Sequence, residues 1–92
     1  MIRSFKHAGI EEFFLTGSKA GIQPDHAPKL RRLLQALNFA RRAQDMNQPG
    51  WHFHPLQGEL KGFWSVKVNG NSRITFGFEE QDAVLVDYRD YH

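Results

Sequence analysis

The chain closes on Tyr88-Arg89-Asp90-Tyr91-His92, a carboxylate and an imidazole set among two phenols and a guanidinium. Asp, Tyr and His together supply a base, an acid and hydrogen-bond donors near neutral pH. That is the chemistry needed to cut RNA. The run before them, Ala83-Val84-Leu85-Val86, reads as a buried strand. Such a strand would hold the terminal groups on a rigid element, although a chain end is ordinarily the least ordered part of a small domain. In a regular strand Tyr88, Asp90 and His92 share one face, and Asp87, Arg89 and Tyr91 the other. The competing reading is a frayed polar tail with Tyr88 alone buried.

Two further candidates lie upstream. In His52-Phe53-His54 an extended backbone points both imidazoles the same way, for acid–base work or for a metal. A metal site needs at least one more ligand, and neither HExxH nor CxxC supplies it, so no metal or other cofactor is expected. Two exposed loop histidines are the plain alternative. Arg73 follows a turn, on the strand face opposite Ile74, Phe76 and Phe78. A guanidinium there can grip a phosphate with two parallel N–H bonds. It can equally be a surface arginine paired with Glu79, Asp87 or Asp90.

The elements that must position these groups follow from periodicity. Ile2 to Phe5 is a short strand candidate. Ile10, Phe13 and Phe14 fall at helical spacing within Gly9 to Thr16, and Gly17 is a plausible stop. Pro24 or Asp25 opens a longer helix reaching about Gln44, with Pro28 in its first turn. Its apolar stripe is Leu30, Leu33, Leu34 and Leu37, and Arg31, Arg32, Gln35, Asn38 and Arg42 fall largely on the other side. After Gln48-Pro49-Gly50 the period becomes two. Trp64, Val66 and Val68 alternate with Ser65 and Lys67, and Ile74, Phe76 and Phe78 alternate with Arg73, Thr75 and Gly77. Asn69-Gly70-Asn71 reads as a tight hairpin and Glu79 to Asp82 as a second turn. The order β-α-α-β-β-β predicts an α+β fold, an antiparallel sheet with two N-terminal helices packed on one face.

Bulk composition sets bounds. Ninety-two residues, 40% hydrophobic with eight Phe, make a single domain over 1–92 with a real core. Without cysteine there is neither a disulfide framework nor a thiolate metal site, which fits a reducing cytoplasm. No apolar run spans a bilayer, and Met1-Ile2-Arg3-Ser4 does not begin a signal peptide, so a cytoplasmic protein is expected. Net charge is only +2, but residues 1–44 hold eight basic residues against three acidic ones, and the rest holds four against seven. A basic half suggests a polyanion contact, against the bland reading of a solvated helix face. No phosphate-binding glycine loop, nucleophile elbow, zinc finger or RNP1 motif occurs.

Several blocks in chain order resemble one family. Met1-Ile2-Arg3-Ser4-Phe5-Lys6-His7, Phe53-His54-Pro55-Leu56-Gln57-Gly58, Gly62-Phe63-Trp64-Ser65-Val66, Val68 to Phe76 and the closing Asp87-Tyr88-Arg89-Asp90-Tyr91-His92 look like the HigB toxins. These are also called plasmid-maintenance killer proteins, of the RelE/ParE superfamily. The terminal D-Y-x-D-Y-H is the specific block, and residues 17–48 are the least diagnostic.

The resemblance implies a type II toxin with a RelE-like microbial-ribonuclease fold that cuts mRNA in the ribosomal decoding site. It implies a cognate HigA-like antitoxin, a hetero-oligomer with that partner, and ribosome and mRNA as targets. It maps the active site onto His54, Asp90, Tyr91 and His92, with Arg73 as phosphate contact. The family's H-P-L-K-G has lysine where this chain has Gln57, and Lys61 is a candidate substitute. Lys29, Arg31, Arg32, Arg41 and Arg42 would contact ribosomal RNA or an acidic antitoxin segment. Two alternatives stand beside this reading. One is a ParE-like, non-nucleolytic toxin acting on gyrase. The other is a binding-only homologue weakened at Gln57.

Overall fold

The change from helical period to period two appears as two helices followed by strands. The structure, a computed structural model, describes residues 1–90. Helix α1 spans Ala8–Thr16 and α2 Ala27–Phe39; strands β1, β2, β3 and β4 span His54–Pro55, Trp64–Asn69, Ser72–Glu79 and Asp82–Asp90. The strands form one antiparallel sheet in the order β1-β2-β3-β4. Gly17 ends α1 in the left-handed conformation at φ 82°, and its N–H returns to the Phe13 carbonyl.

The expected first strand is only partly formed. Ile2 and Phe5 make isolated parallel bridges to Ala83 and Val86. Backbone bonds at each bridge, such as Arg3 N–H to the Ala83 carbonyl and Val86 N–H to the Ser4 carbonyl, are supplemented by side chains: the Ile2 N–H donates to Asn38 Oδ1, and Ser4 Oγ accepts from the Leu85 N–H. Leu85 is the reason. It sits at φ 53°, an exposed residue of a bulge that shifts the β3–β4 register. The short β1, pairing His54 with Ser65, was not expected as a strand.

Helix α2 is also shorter than its pattern. A 3₁₀ turn, Pro24–His26, precedes it, and it stops at Phe39 rather than near Gln44. Ala40 takes an extended conformation, so the chain turns inward and buries Ala40, Ala43 and Met46 beneath the helix. The Arg41 N–H, no longer in a helix, donates to the Asp45 carboxylate.

Leu30, Leu33, Leu34 and Leu37 are all buried, against Val66, Ile74, Phe76 and Val86. Truncating one such leucine typically costs about 2–5 kcal/mol, so this packing fixes which way the sheet faces. The opposite face carries Ser65, Lys67, Arg73, Thr75 and Gly77. Ser65 and Thr75 are buried there too. The Phe63 ring lies against Gly77, where an added Cβ would sit 3.2 Å from the ring, so only glycine admits it comfortably.

Candidate functional site

A cleft of about 290 Å³ opens on the outer face of the sheet, lined by His54, Leu56, Gln57, Leu60 and Arg73. The antiparallel register builds it. His54 pairs with Ser65, Ser65 with Thr75, and Thr75 with Asp87, in one row across all four strands. One step along the same face, Lys67 pairs with Arg73 and Arg73 with Arg89. Like charges directly opposite one another weaken a sheet. Three cations in such a row make a surface suited to a polyanion.

Arg73 is half-buried, and its Nη1 is shielded from solvent with no hydrogen-bond acceptor among the described residues. Leaving a buried charged donor unmatched costs upwards of about 1–3 kcal/mol. Of the carboxylates weighed as partners for Arg73, Glu79 is paired with Arg3. An anion entering the cleft would supply the missing acceptor.

His54 is exposed and oriented by its own loop. Its Nδ1 lies 3.0 Å from the His52 carbonyl, which can only accept, so Nδ1 carries the proton. Nε2 is then the basic nitrogen, turned toward Ser65 Oγ at 3.4 Å. In the neutral ring Nε2 can take a proton; once charged, it can return one. His52 does not join it, because at φ 52° the backbone is left-handed and the expected same-side pair is lost. Among the described residues no three His, Asp or Glu side chains converge as metal ligands.

The other expected site residues are dispersed. Asp90 lines a second cleft of about 190 Å³ with His7, Gln23, Ser72, Tyr88 and Arg89, toward the helix side of the strand end. Arg89 thus stands between the clefts, opposite Arg73 in one and lining the other. Tyr91 and His92 lie outside the described residues. Lys61 is exposed just past the 3₁₀ turn Gly58–Leu60 and is not part of the wall of the first cleft, whereas Gln57 is. The basic set belongs to the helix layer. Lys29 lies 5.5 Å from the centre of the Trp51 ring, and Arg31 is at the same distance from that of Phe13. Partial burial and the nearby Arg32 charge pull the Lys29 pKa down. Arg32, Arg41 and Arg42 are exposed, with Arg42 paired to Asp45. Because α2 ends early, Arg41 and Arg42 do not continue its polar face.

Two features escaped the sequence reading. Lys67 and Arg89 share Arg73's face, which the alternation already implied once the register was known. His26 is buried with its Nδ1 2.5 Å from the Tyr88 hydroxyl, 62 positions away, and no local signal foretells that pair. Burial raises the Tyr88 pKa, the Asp90 charge raises it further, and the Gln23 backbone N–H works against both.

Known proteins share this plan. The chain is 38% identical over 92 residues, spanning all of both chains, to a Proteus vulgaris protein named Endoribonuclease HigB. It is 32% identical over 94 residues to Toxin HigB-1 of Vibrio cholerae serotype O1, covering all of this chain and 98% of that one. The crystal structure of a YafQ mutant from E. coli overlays with a TM-score of 0.59, covering 98% of this chain and 93% of that one. At 15% identity that likeness is one of fold. The family described as RelE-like toxin of type II toxin-antitoxin system HigB matches residues 3–92. The chain therefore belongs to the HigB-like family, the RelE-like toxins of type II toxin–antitoxin systems.

Proposed function

We propose that this chain is a metal-independent endoribonuclease that cuts mRNA on the ribosome and is held in check by a HigA-like antitoxin in the cytoplasm. The observation that carries the reading is the unmatched, buried Arg73 Nη1 in the same cleft as the basic nitrogen of His54. A phosphodiester would satisfy the first and react beside the second. The name and full-length similarity of the Proteus vulgaris relative support the same activity.

In the proposed reaction the 2′-oxygen attacks phosphorus as a base removes its proton. The bond to the 5′-oxygen breaks, and an acid protonates that leaving group. The products are a 2′,3′-cyclic phosphate and a 5′-hydroxyl. His54 and His92 carry the proton transfers; Asp90 orients or charges one imidazole, or acts as the base itself. Tyr91 positions the nucleotide or donates to phosphate. Arg73, flanked by Lys67 and Arg89, steadies the charge that develops on phosphorus oxygens. Lys61 remains a candidate helper from the neighbouring turn.

Lys29, Arg31, Arg32, Arg41 and Arg42 lie on or just beyond α2, in the helix layer rather than in the cleft. In this reading they anchor the protein on ribosomal RNA, with an acidic antitoxin segment as the alternative occupant. Gln57 in the cleft wall favours the weakened, binding-only homologue as the second reading.

Purified protein added to translating ribosomes, followed by mapping of mRNA ends, tests all of this. The expected result is cutting of ribosome-bound mRNA, with naked RNA nearly spared because the ribosome positions the substrate. The new 3′ ends should carry a cyclic or 3′-phosphate, and cutting should survive chelation under conditions that keep ribosomes intact. A 3′-hydroxyl end would sink the transesterification, and no cutting at all would leave the binding-only reading.

A further inference from the structure

We propose that His26 and Tyr88 form a latch that positions the end of β4, and with it Asp90, for the chemistry. This rests on the function proposed above. The inference starts from how that strand end is joined to the helix layer. The parallel bridges of the N-terminal segment stop at Phe5 and Val86, so among the described residues 87–90 pair with β3 alone. Upstream, the bulge at Leu85 breaks the regular register. The core residues Ala83, Val84 and Val86 are thus fixed, while the stretch beyond them has one strand neighbour and a kink behind it.

Tyr88 crosses that gap. Its hydroxyl reaches His26 Nδ1 at 2.5 Å, and its ring meets the His26 and His7 rings edge-on, with centroids 6.0 and 5.3 Å away. Both histidines are themselves fixed. His26 is 6% exposed, within the turn that opens α2, and its N–H donates to the Gln23 carbonyl. His7 caps α1, its Nδ1 accepting from the Ile10 N–H at 3.1 Å. One phenol therefore ties the strand end to the start of both helices.

Packing alone does not require this chemistry. A phenylalanine would fill the same space, and burying an imidazole is costly unless its polar atoms find partners. A matched, partly buried polar pair favours a single geometry more than raw stability. Burial raises the Tyr88 pKa, so the phenol stays protonated and paired with the His26 ring nitrogen.

The test is Tyr88→Phe, which deletes the hydroxyl and keeps the ring. Two readouts are taken on the full chain: cleavage of ribosome-bound mRNA, and amide hydrogen exchange along β4. A small misplacement remote from the chemistry can cost up to about a hundredfold, so kcat should fall about tenfold or more with KM within twofold. Exchange should quicken at residues 87–90 and stay unchanged at 83–86. Adding His26→Asn should cost little more, since both changes break one contact. Unchanged exchange at 87–90 overturns the latch whether or not the parent protein cuts mRNA. Quicker exchange with parental cleavage overturns the positioning role. A parent that fails to cut refutes the proposed function instead, and the exchange result still decides whether the tether exists.

Discussion

On the outer face of the sheet, Arg73 holds a buried nitrogen with no acceptor among the described residues, beside two more cations directly across the strands. On the helix face, half-buried Tyr88 and buried His26 pair their polar atoms with each other, and the His7 Nδ1 serves a helix cap. The first arrangement is electrostatically incomplete, and the second is closed. An unmatched charge is tolerated where a ligand will complete it, whereas a matched polar pair is a structural joint. The two faces thus divide the labour: one waits for phosphate, the other holds the strand that serves it.

The largest expected effect comes from removing what both faces would serve. Deleting Tyr91 and His92 should abolish growth inhibition and mRNA cutting. The core built from residues 1–90 does not need them, so the truncated chain should stay folded. His54→Ala should lower the cutting rate by roughly 10²–10⁴, the usual contribution of a general acid or base, with little change in melting temperature because the ring is exposed. A folded truncation that still cuts at the parental rate would remove the chain end from the site altogether.

Arg73→Gln probes the incomplete face directly. A charge-assisted hydrogen bond is worth about 1.5–3 kcal/mol, so kcat/KM should drop roughly ten- to a hundredfold. Stability should hold or rise, because the change removes an unmatched donor and eases repulsion from Lys67 and Arg89. A loss of several degrees in melting temperature would show instead that Arg73 is a structural residue.

How much of this was legible in the sequence depends on the range of the forces involved. The leucine stripe of α2 and the alternation of β2 and β3 are local patterns, and they placed Leu30 to Leu37 in the core and Arg73 on the outer face. The early end of α2 was not legible, because burial of Ala40, Ala43 and Met46 overrides the helical preference of Phe39 to Gln44. The His52–His54 pairing failed for a related reason, since alternation holds only while φ stays extended. The split of Asp90 from His54, and the joining of His26 to Tyr88, depend on register and on contacts between distant segments. Neither leaves a trace in local spacing.

Gln57→Lys sharpens the comparison more gently. It places a cation in the wall of the outer cleft, beside Arg73. Cutting should be preserved or raised a few-fold, because a charged donor binds phosphate about twice as strongly as a neutral amide. If the new lysine touches phosphate, the slope of log affinity against log salt should steepen by about one. An unchanged slope would mean that position 57 does not reach the RNA.

The smallest effect belongs to the closed face and is read in alkali. Tyr88 has a raised pKa in the fold, chiefly from burial and further from Asp90, relative to an ordinary value of 10.0. A raised folded-state value means that the folded chain keeps its phenolic proton while the unfolded chain begins to lose it. The associated stability is therefore complete below the ordinary value and is lost as pH rises through the folded-state value. The titratable and charged groups around the phenol are His26, His7, Arg89 and Asp90. Melting curves of the parent and Tyr88→Phe should thus differ by a constant margin at neutral pH, with the parent more stable, and converge as pH rises past the ordinary phenol value. The two proteins differ at position 88 alone, so the difference isolates that residue. A margin that stays constant through the alkaline range would mean that the phenol is not the partly desolvated joint on which the latch depends.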